Sequence, residues 1–248
     1  VFSKQLNNTT WRVGAVYQPV RGVSIYAQYS TGLDPIGTLT TFSASQTQFK
    51  NTTGNQVEGG VKTSFLDGRG SATLAAYRIV KKNLLIQNPD DLKDTTPLQI
   101  GQRSARGIEA SVSLDLPKGF GIDANGTVLE AKYDEFNTGG VSFTGNTPPN
   151  IPQTAANLWL RWNAFDRFQA RVGLRYVGHS YSDNANQFRI PGYVVVDGGV
   201  GYAITPRIAV DLRVYNLLAK AYATTSYNDE QWILGRPRSV DLALRARF

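Results

Sequence analysis

Arg171, Arg175 and His179 recur at every fourth residue of RVGLRYVGH, and Trp159 and Arg161 stand two apart in the nearby LWLRW. A guanidinium keeps its charge at any physiological pH and offers a planar fork of donors. An indole offers a flat apolar face that attracts cations. Such a set can hold a bulky anionic ligand by fixed charge and stacking; it has no means of cleaving a bond. Tyr181, Phe188, Tyr227 and Trp232, with Tyr133, Phe136 and Phe143, put further rings into polar segments of the chain. Any one of these residues alone is more often ordinary lining or loop packing than a ligand contact. His179 is the single histidine, so it can supply a pH-sensitive contact but not a histidine-based metal site or triad.

Other chemistries drop out. The absence of Cys removes disulfide scaffolds and thiolate metal sites. No HExxH, P-loop or GxSxG occurs, and GGVGYA is a glycine run in a strand pattern with no helix behind it. Glu58, Glu109 and Asp115 are spread over separate segments, as solvated lining is. We therefore expect neither an enzyme, nor a cofactor, nor a protein-held metal. The net charge is +7, yet Lys and Arg are scattered rather than gathered in a stripe, so no nucleic-acid partner is expected. No apolar run approaches the roughly 20 residues of a membrane helix. The opening VFSKQLNNTT has neither the charged start nor the apolar middle of a signal peptide. With no initiator Met, the chain reads as a mature protein or a piece of a longer one.

The elements that must position the arginines alternate with a period of two, the mark of strands. Strands are expected near 9–17, 23–31, 55–65, 70–82, 100–116, 120–132, 154–162, 168–179, 193–202, 208–216 and 238–248. Their connections alternate in length. PVRG, LDGR, PKG, NAFDR and AITPR are short turns, whereas 32–54, 83–99, 133–153, 180–192 and 217–237 are long polar loops. Short turns therefore gather at one end of an all-β, antiparallel, up-and-down sheet and long loops at the other.

Alternation alone does not say which face is wet. Three features favour an apolar face toward lipid and a polar face toward a wet lumen. Charged residues line one whole side of several strands, as Arg171 and Arg175 do opposite Val172 and Leu174. The strands approach the roughly 9–11 residues a tilted strand needs to cross a bilayer. Tyr17, Phe65, Phe120, Trp162, Phe168, Tyr202 and Phe248 all fall on the apolar face at the short-turn end, as an interfacial aromatic girdle would. Trp11, Tyr29 and Tyr176 lie on the same face toward the other end.

The segments NQVEGGVKTSFLDGRGSATLAAYRIVKKNLL, GQRSARGIEASVSLDLPKGFGIDANGTVLEAKY, GNTPPNIPQTAANLWLRW, RIPGYVVVDGGVGYAI, VYNLLAKAY and GRPRSVDLALRARF follow one another over most of 55–248. In order and spacing this set resembles the C-terminal half of the transmembrane β-barrel of TonB-dependent outer-membrane receptors, in the ferric-siderophore branch. The resemblance implies that 1–248 is about 11 strands of a probable 22-stranded barrel, with the plug domain and the first half of the barrel absent. It implies a place in the bacterial outer membrane and a role in TonB-energised uptake of a ferric siderophore. Iron would arrive as the chelate, and the partners would be the TonB complex through the missing N-terminal part and the lipid bilayer. The barrel-assembly machinery would read the C-terminal strand ending in Phe248. The ligand-binding candidates are then Trp159, Arg171, Arg175, His179, Tyr181, Phe188, Tyr227 and Trp232. A haem, cobalamin or oligosaccharide receptor, a passive porin-like barrel and a soluble β-barrel binding protein remain alternatives at this point.

Overall fold

The structure, a computed structural model, describes residues 7–34, 49–87, 97–165, 167–226 and 231–247. The described residues form eleven main strands: β1 (Arg12–Val20), β2 (Val23–Asp34), β3 (Thr52–Phe65), β4 (Gly70–Gln87), β5 (Pro97–Asp115), β6 (Phe120–Glu135), β7 (Thr154–Ala164), β8 (Phe168–Val177), β9 (Tyr193–Thr205), β10 (Ile208–Tyr215) and β11 (Ser239–Ala246). They make one antiparallel sheet in which spatial order equals chain order. Every strand expected from the alternation is present.

Several boundaries differ from those expected, and β1 lies three residues later, at Arg12–Val20. β4 and β5 run well into the segment 83–99 that alternation assigned to a loop, and continue as a hairpin to Gln87 and Pro97. β8 stops at Val177, so His179 lies beyond the strand rather than on its face. The long loops also carry short two-stranded ribbons: Asn137–Thr138 with Val141–Ser142, Ser180–Tyr181 with Arg189–Ile190, and Ala223–Ser226 with Trp232–Leu234.

The short turns explain why consecutive strands pair. In LDGR, Leu66, Asp67 and Gly68 all take positive φ (53°, 54° and 87°), which reverses the chain tightly between β3 and β4. Pro117–Gly119 forms a single 3-10 turn, and Gly119 sits at φ 77°. A Cβ at Gly119 would strike the Asn163 carbonyl, so the β5–β6 turn fits only with glycine there.

The register is staggered. One row of paired residues runs Tyr17, Ile25, Val61, Leu74, Ala110, Gly126, Ala156, Tyr176. It starts at the short-turn end of β1 and finishes at the long-loop end of β8. A row that climbs in this way is the signature of strands tilted against a barrel axis.

The sheet has no second layer. Leu242 and Leu244 are 74% and 70% exposed, and Leu74, Ile108 and Val128 on the same apolar face are also exposed. Such a continuous apolar surface is not stable in water. The buried apolar cluster lies instead at the long-loop end: Leu84, Ile100, Tyr133, Phe136 and Phe143, with Ile86 against it. No helix among the described residues is long and apolar enough to cross a membrane, which leaves crossing by strands open. β1 and β11 are the two edges, each paired on one side among the described residues.

Candidate ligand-binding wall

On the polar face one transverse row crosses seven strands: Asp115, Gly121, Arg161, Arg171, Gly199, Arg213, Asp241. Period-two geometry puts all of them on one side. Gly121 leaves room for the Arg161 guanidinium, which a Cβ there would meet. Arg161 uses that room to donate to Asp123 at 2.6 Å and, two strands away, to Asp115 at 2.9 Å. Arg245 donates to both oxygens of Asp211, at 2.7 and 2.9 Å. Arg236 donates to Asp241 at 3.1 Å and stacks on the Tyr215 ring, 3.7 Å from its centroid.

Arg171, Arg175 and Arg213 differ from these. Among the described residues none of the three has an ion pair. Arg171 lies over the Trp159 indole at 5.4 Å. The indole lies across Gly173, where any Cβ would collide with it. One row separates Arg171 from Trp159, and the next row toward the long loops holds Arg175 opposite Asn157. Arg175 donates to the Tyr222 hydroxyl at a long 3.5 Å, and the Tyr222 ring packs on Tyr193 at 4.3 Å. The wall thus carries three guanidiniums without ion pairs among the described residues, of which Arg171 lies over an indole and Arg175 reaches a pair of phenol rings. This suits an anionic ligand with flat or apolar parts. Arg161, Arg171, Arg213, Arg245 and Asp211 also line a depression of ≈ 450 Å³ nearer the short turns.

The long loops above this wall are ordered by their own contacts. Tyr133 donates its hydroxyl to Asn184 Oδ1 at 2.8 Å, and Asn146 Nδ2 donates to the Asn184 carbonyl at 2.8 Å. Asn186 exchanges hydrogen bonds with the Thr147 backbone at 2.8 and 2.7 Å. Thr225 Oγ1 donates to Asn150 Oδ1 at 2.7 Å, so three successive loops are tied together. Asn216, fully buried at 1% exposure, binds the Lys220 N–H and the carbonyls of Lys220 and Arg236 through its side chain.

The structure sorts the residues singled out in the sequence. Trp159, Arg171 and Arg175 share one polar patch. His179 leaves it and meets Tyr181 edge to face at 5.9 Å. Phe188 is exposed next to the ribbon strand Arg189–Ile190, and Trp232 is exposed in the ribbon strand Trp232–Leu234. Tyr227 and Phe248 lie outside the described residues. Tyr133, Phe136 and Phe143 do not line the wall: they are buried at 2%, 2% and 9%, ring against ring at 4.8 and 5.1 Å, as the core of their loop. Arg213, Tyr193 and Tyr222 were missed as candidates. Arg213 could have been found from its alternation opposite Leu212, whereas Tyr222 carries no periodic signal.

On the apolar face, Tyr17, Phe65, Phe120, Trp162 and Tyr202 are exposed and Phe168 is half-buried. Phe120 stacks on Trp162 at 5.5 Å, and Trp162 meets Phe168 edge-on at 5.9 Å.

Residues 1–217 match the family model described as TonB dependent receptor-like, beta-barrel. The chain belongs to that family. It is 30% identical over 248 residues to the ferrichrome outer membrane transporter/phage receptor of Escherichia coli K12, covering 96% of this chain and 32% of that one. It is 26% identical over 254 residues to the probable TonB-dependent siderophore receptor PiuA of Acinetobacter baumannii, covering 96% of this chain and 34% of that one. The crystal structure of that siderophore receptor superposes with a TM-score of 0.82 over 96% of this chain and 35% of its own, at 26% identity. The closed form of the ferric-catecholate import receptor Fiu of E. coli gives 0.77 at 26% identity, over 96% and 35%. The chain thus spans about a third of the length of the relatives it matches. As wall of an outer-membrane TonB-dependent receptor barrel, its apolar face meets lipid and its polar face lines the lumen.

Proposed function

We propose that this chain is part of a receptor that takes up a ferric siderophore across the outer membrane, energised through TonB. The observation that carries the proposal is the trio Arg171, Arg175 and Arg213, cations without an ion pair among the described residues, with Trp159 against Arg171 and the Tyr193–Tyr222 pair against Arg175. Ferric siderophores are bulky and often anionic, so guanidinium charge and ring faces are the groups to hold them. The ligand would approach past the stitched loops, meeting Arg175 and Tyr222 before Arg171 and Trp159. The loop residues Tyr181, Phe188, Tyr227 and Trp232, with His179, are secondary contacts in this reading. Iron is cargo, carried inside the chelate.

The remaining partners follow from the same reading. β1 and β11 would pair with further strands, since about 22 strands close the plugged barrels. TonB would be engaged through a part of the receptor other than these residues. The rings of Tyr17, Phe65, Phe120, Trp162, Phe168 and Tyr202 would sit at the lipid–water interface on the short-turn side. The stripe Val240, Leu242, Leu244 on β11 would be presented to the barrel-assembly machinery together with Phe248. The test is equilibrium binding to the purified full-length receptor, comparing ferric catecholates and ferric hydroxamates with haem, cobalamin and an oligosaccharide. The proposal expects saturable binding of a ferric siderophore. Binding only of one of the other three would overturn the substrate class, and binding of none with open-channel conductance would favour a passive pore.

A further inference from the structure

At the upper edge of the lipid-facing surface, Arg78 of β4 and Arg106 of β5 stand directly opposite each other, with Glu130 of β6 next in the row. In the other direction this row passes through Val57 to Tyr29, whose ring packs on Trp11 at 4.9 Å. Rows climb toward the long loops from β1 to β8, so Arg78 and Arg106 lie just above the level of that ring pair. The row below holds Ala76, Ile108 and Val128, and Ile108 and Val128 are 56% and 62% exposed. The change from apolar to charged surface is therefore abrupt, and the cations stand where lipid headgroups begin.

The charges here are not balanced. Two like charges directly opposite on a sheet destabilise it. Glu130 accepts from Arg106 at 2.6 Å, but Arg78 and Lys132 have no ion pair among the described residues. The carboxylate of Asp134, higher on β6, is occupied by Gln102 and Ser104, both at 2.9 Å. Arg78, Ser104, Arg106, Glu130 and Lys132 line a shallow depression of ≈ 280 Å³. An anion seated between the two guanidiniums would relieve their repulsion, and guanidinium forks match phosphate oxygens in pairs.

We propose that this patch binds a phosphate group of an outer-leaflet lipid. The lipid source, rather than a dissolved anion, follows from Ile108 and Val128: acyl chains below a phosphate at Arg78 and Arg106 would lie on that exposed apolar surface. The site is on the face opposite the lumen wall, so it is independent of the siderophore reading.

The test uses the full-length receptor in detergent and native mass spectrometry, with bis-phosphorylated lipid A, the same glycolipid after phosphatase treatment, and inorganic phosphate as probes. Wild type should retain the phosphorylated lipid and lose most binding of the dephosphorylated one. Arg78→Gln with Arg106→Gln should weaken retention about 25-fold, about five-fold for each basic residue removed at a membrane surface. Heat-modifiable gel mobility confirms that the double variant is folded. Glu130→Gln, which frees Arg106, should instead tighten retention, a sign a merely unfolded or loosened patch would not give. Equal binding of the two glycolipids, or unchanged binding by the double variant, overturns the proposal. Displacement of the lipid by inorganic phosphate at equal concentration also overturns it, because that describes a small-anion site.

Discussion

Val172→Arg places a charge at the middle of the apolar face of β8. Phe168 and Tyr176 bracket Val172 on that face, and the stretch between them is roughly 27 Å at about 3.4 Å per residue. Tilted by roughly 40°, it spans about 21 Å along the membrane normal, close to the ~25 Å apolar band of outer-membrane barrels. Val172 lies between Leu160 and Gly198 in its row, with no polar neighbour to take up a guanidinium. The expected cost is therefore the midplane value, about 2–4 kcal/mol, against about 0–1 for Tyr176→Arg at the edge of the band. Gln169→Arg, on the opposite face of the same strand, should cost little because water already reaches it. The assay is reversible denaturant unfolding of the full-length receptor in lipid vesicles, with the three variants compared at one lipid composition. Equal costs at Val172 and Gln169, or a larger cost at Gln169, would refute the assignment of the two faces.

Three further outcomes follow. Arg171→Gln combined with Arg175→Gln should weaken ferric-siderophore binding by about ten-fold or more, the loss of charge-assisted contacts, with unchanged receptor abundance; unchanged affinity in equilibrium titration would remove both from the site. Asn216→Ala removes three hydrogen bonds that hold the Lys220 and Arg236 backbone, at about 0.5–1.5 kcal/mol each, so hydrogen exchange should speed up in 216–222 and 234–238 while the centre of β9 keeps its protection. Gly119→Ala should cost about 1–3 kcal/mol in denaturant unfolding, because a Cβ there meets the Asn163 carbonyl at a positive φ. Gly139→Ala, also at positive φ but with nothing within 4 Å, should cost less.

The strands were readable because a membrane barrel writes its two solvents into alternate residues. Leu160, Val172 and Leu212 against Arg161, Arg171 and Asp211 give face and register locally, with no knowledge of distant partners. The loop ends were not readable for the converse reason. Leu84 looks like a loop residue until it meets Ile100, Tyr133, Phe136 and Phe143, which are close to it only in the fold. A ring in a polar loop has the same appearance whether it anchors the loop or awaits a ligand, so residue type alone does not separate these three rings from binding groups. Asn216 is buried by side-chain hydrogen bonds to backbone, and Asn184 by the Tyr133 hydroxyl on its side chain and the Asn146 amide on its carbonyl; neither leaves a pattern in residue type. The wall itself was half legible. Trp159, Arg171 and Arg175 follow from alternation, but Tyr222 joins them only through a loop that folds back onto Arg175.

Uptake of radioactive iron by intact cells tests the central claim most directly. The full-length receptor is expressed in cells lacking their own siderophore receptors, with and without TonB, and iron is supplied as a panel of ferric siderophores. The account predicts accumulation of iron from at least one chelate with TonB present, and surface binding without accumulation when TonB is absent. Equal accumulation in both strains, or none from any ferric siderophore by a receptor correctly placed in the outer membrane, would contradict it.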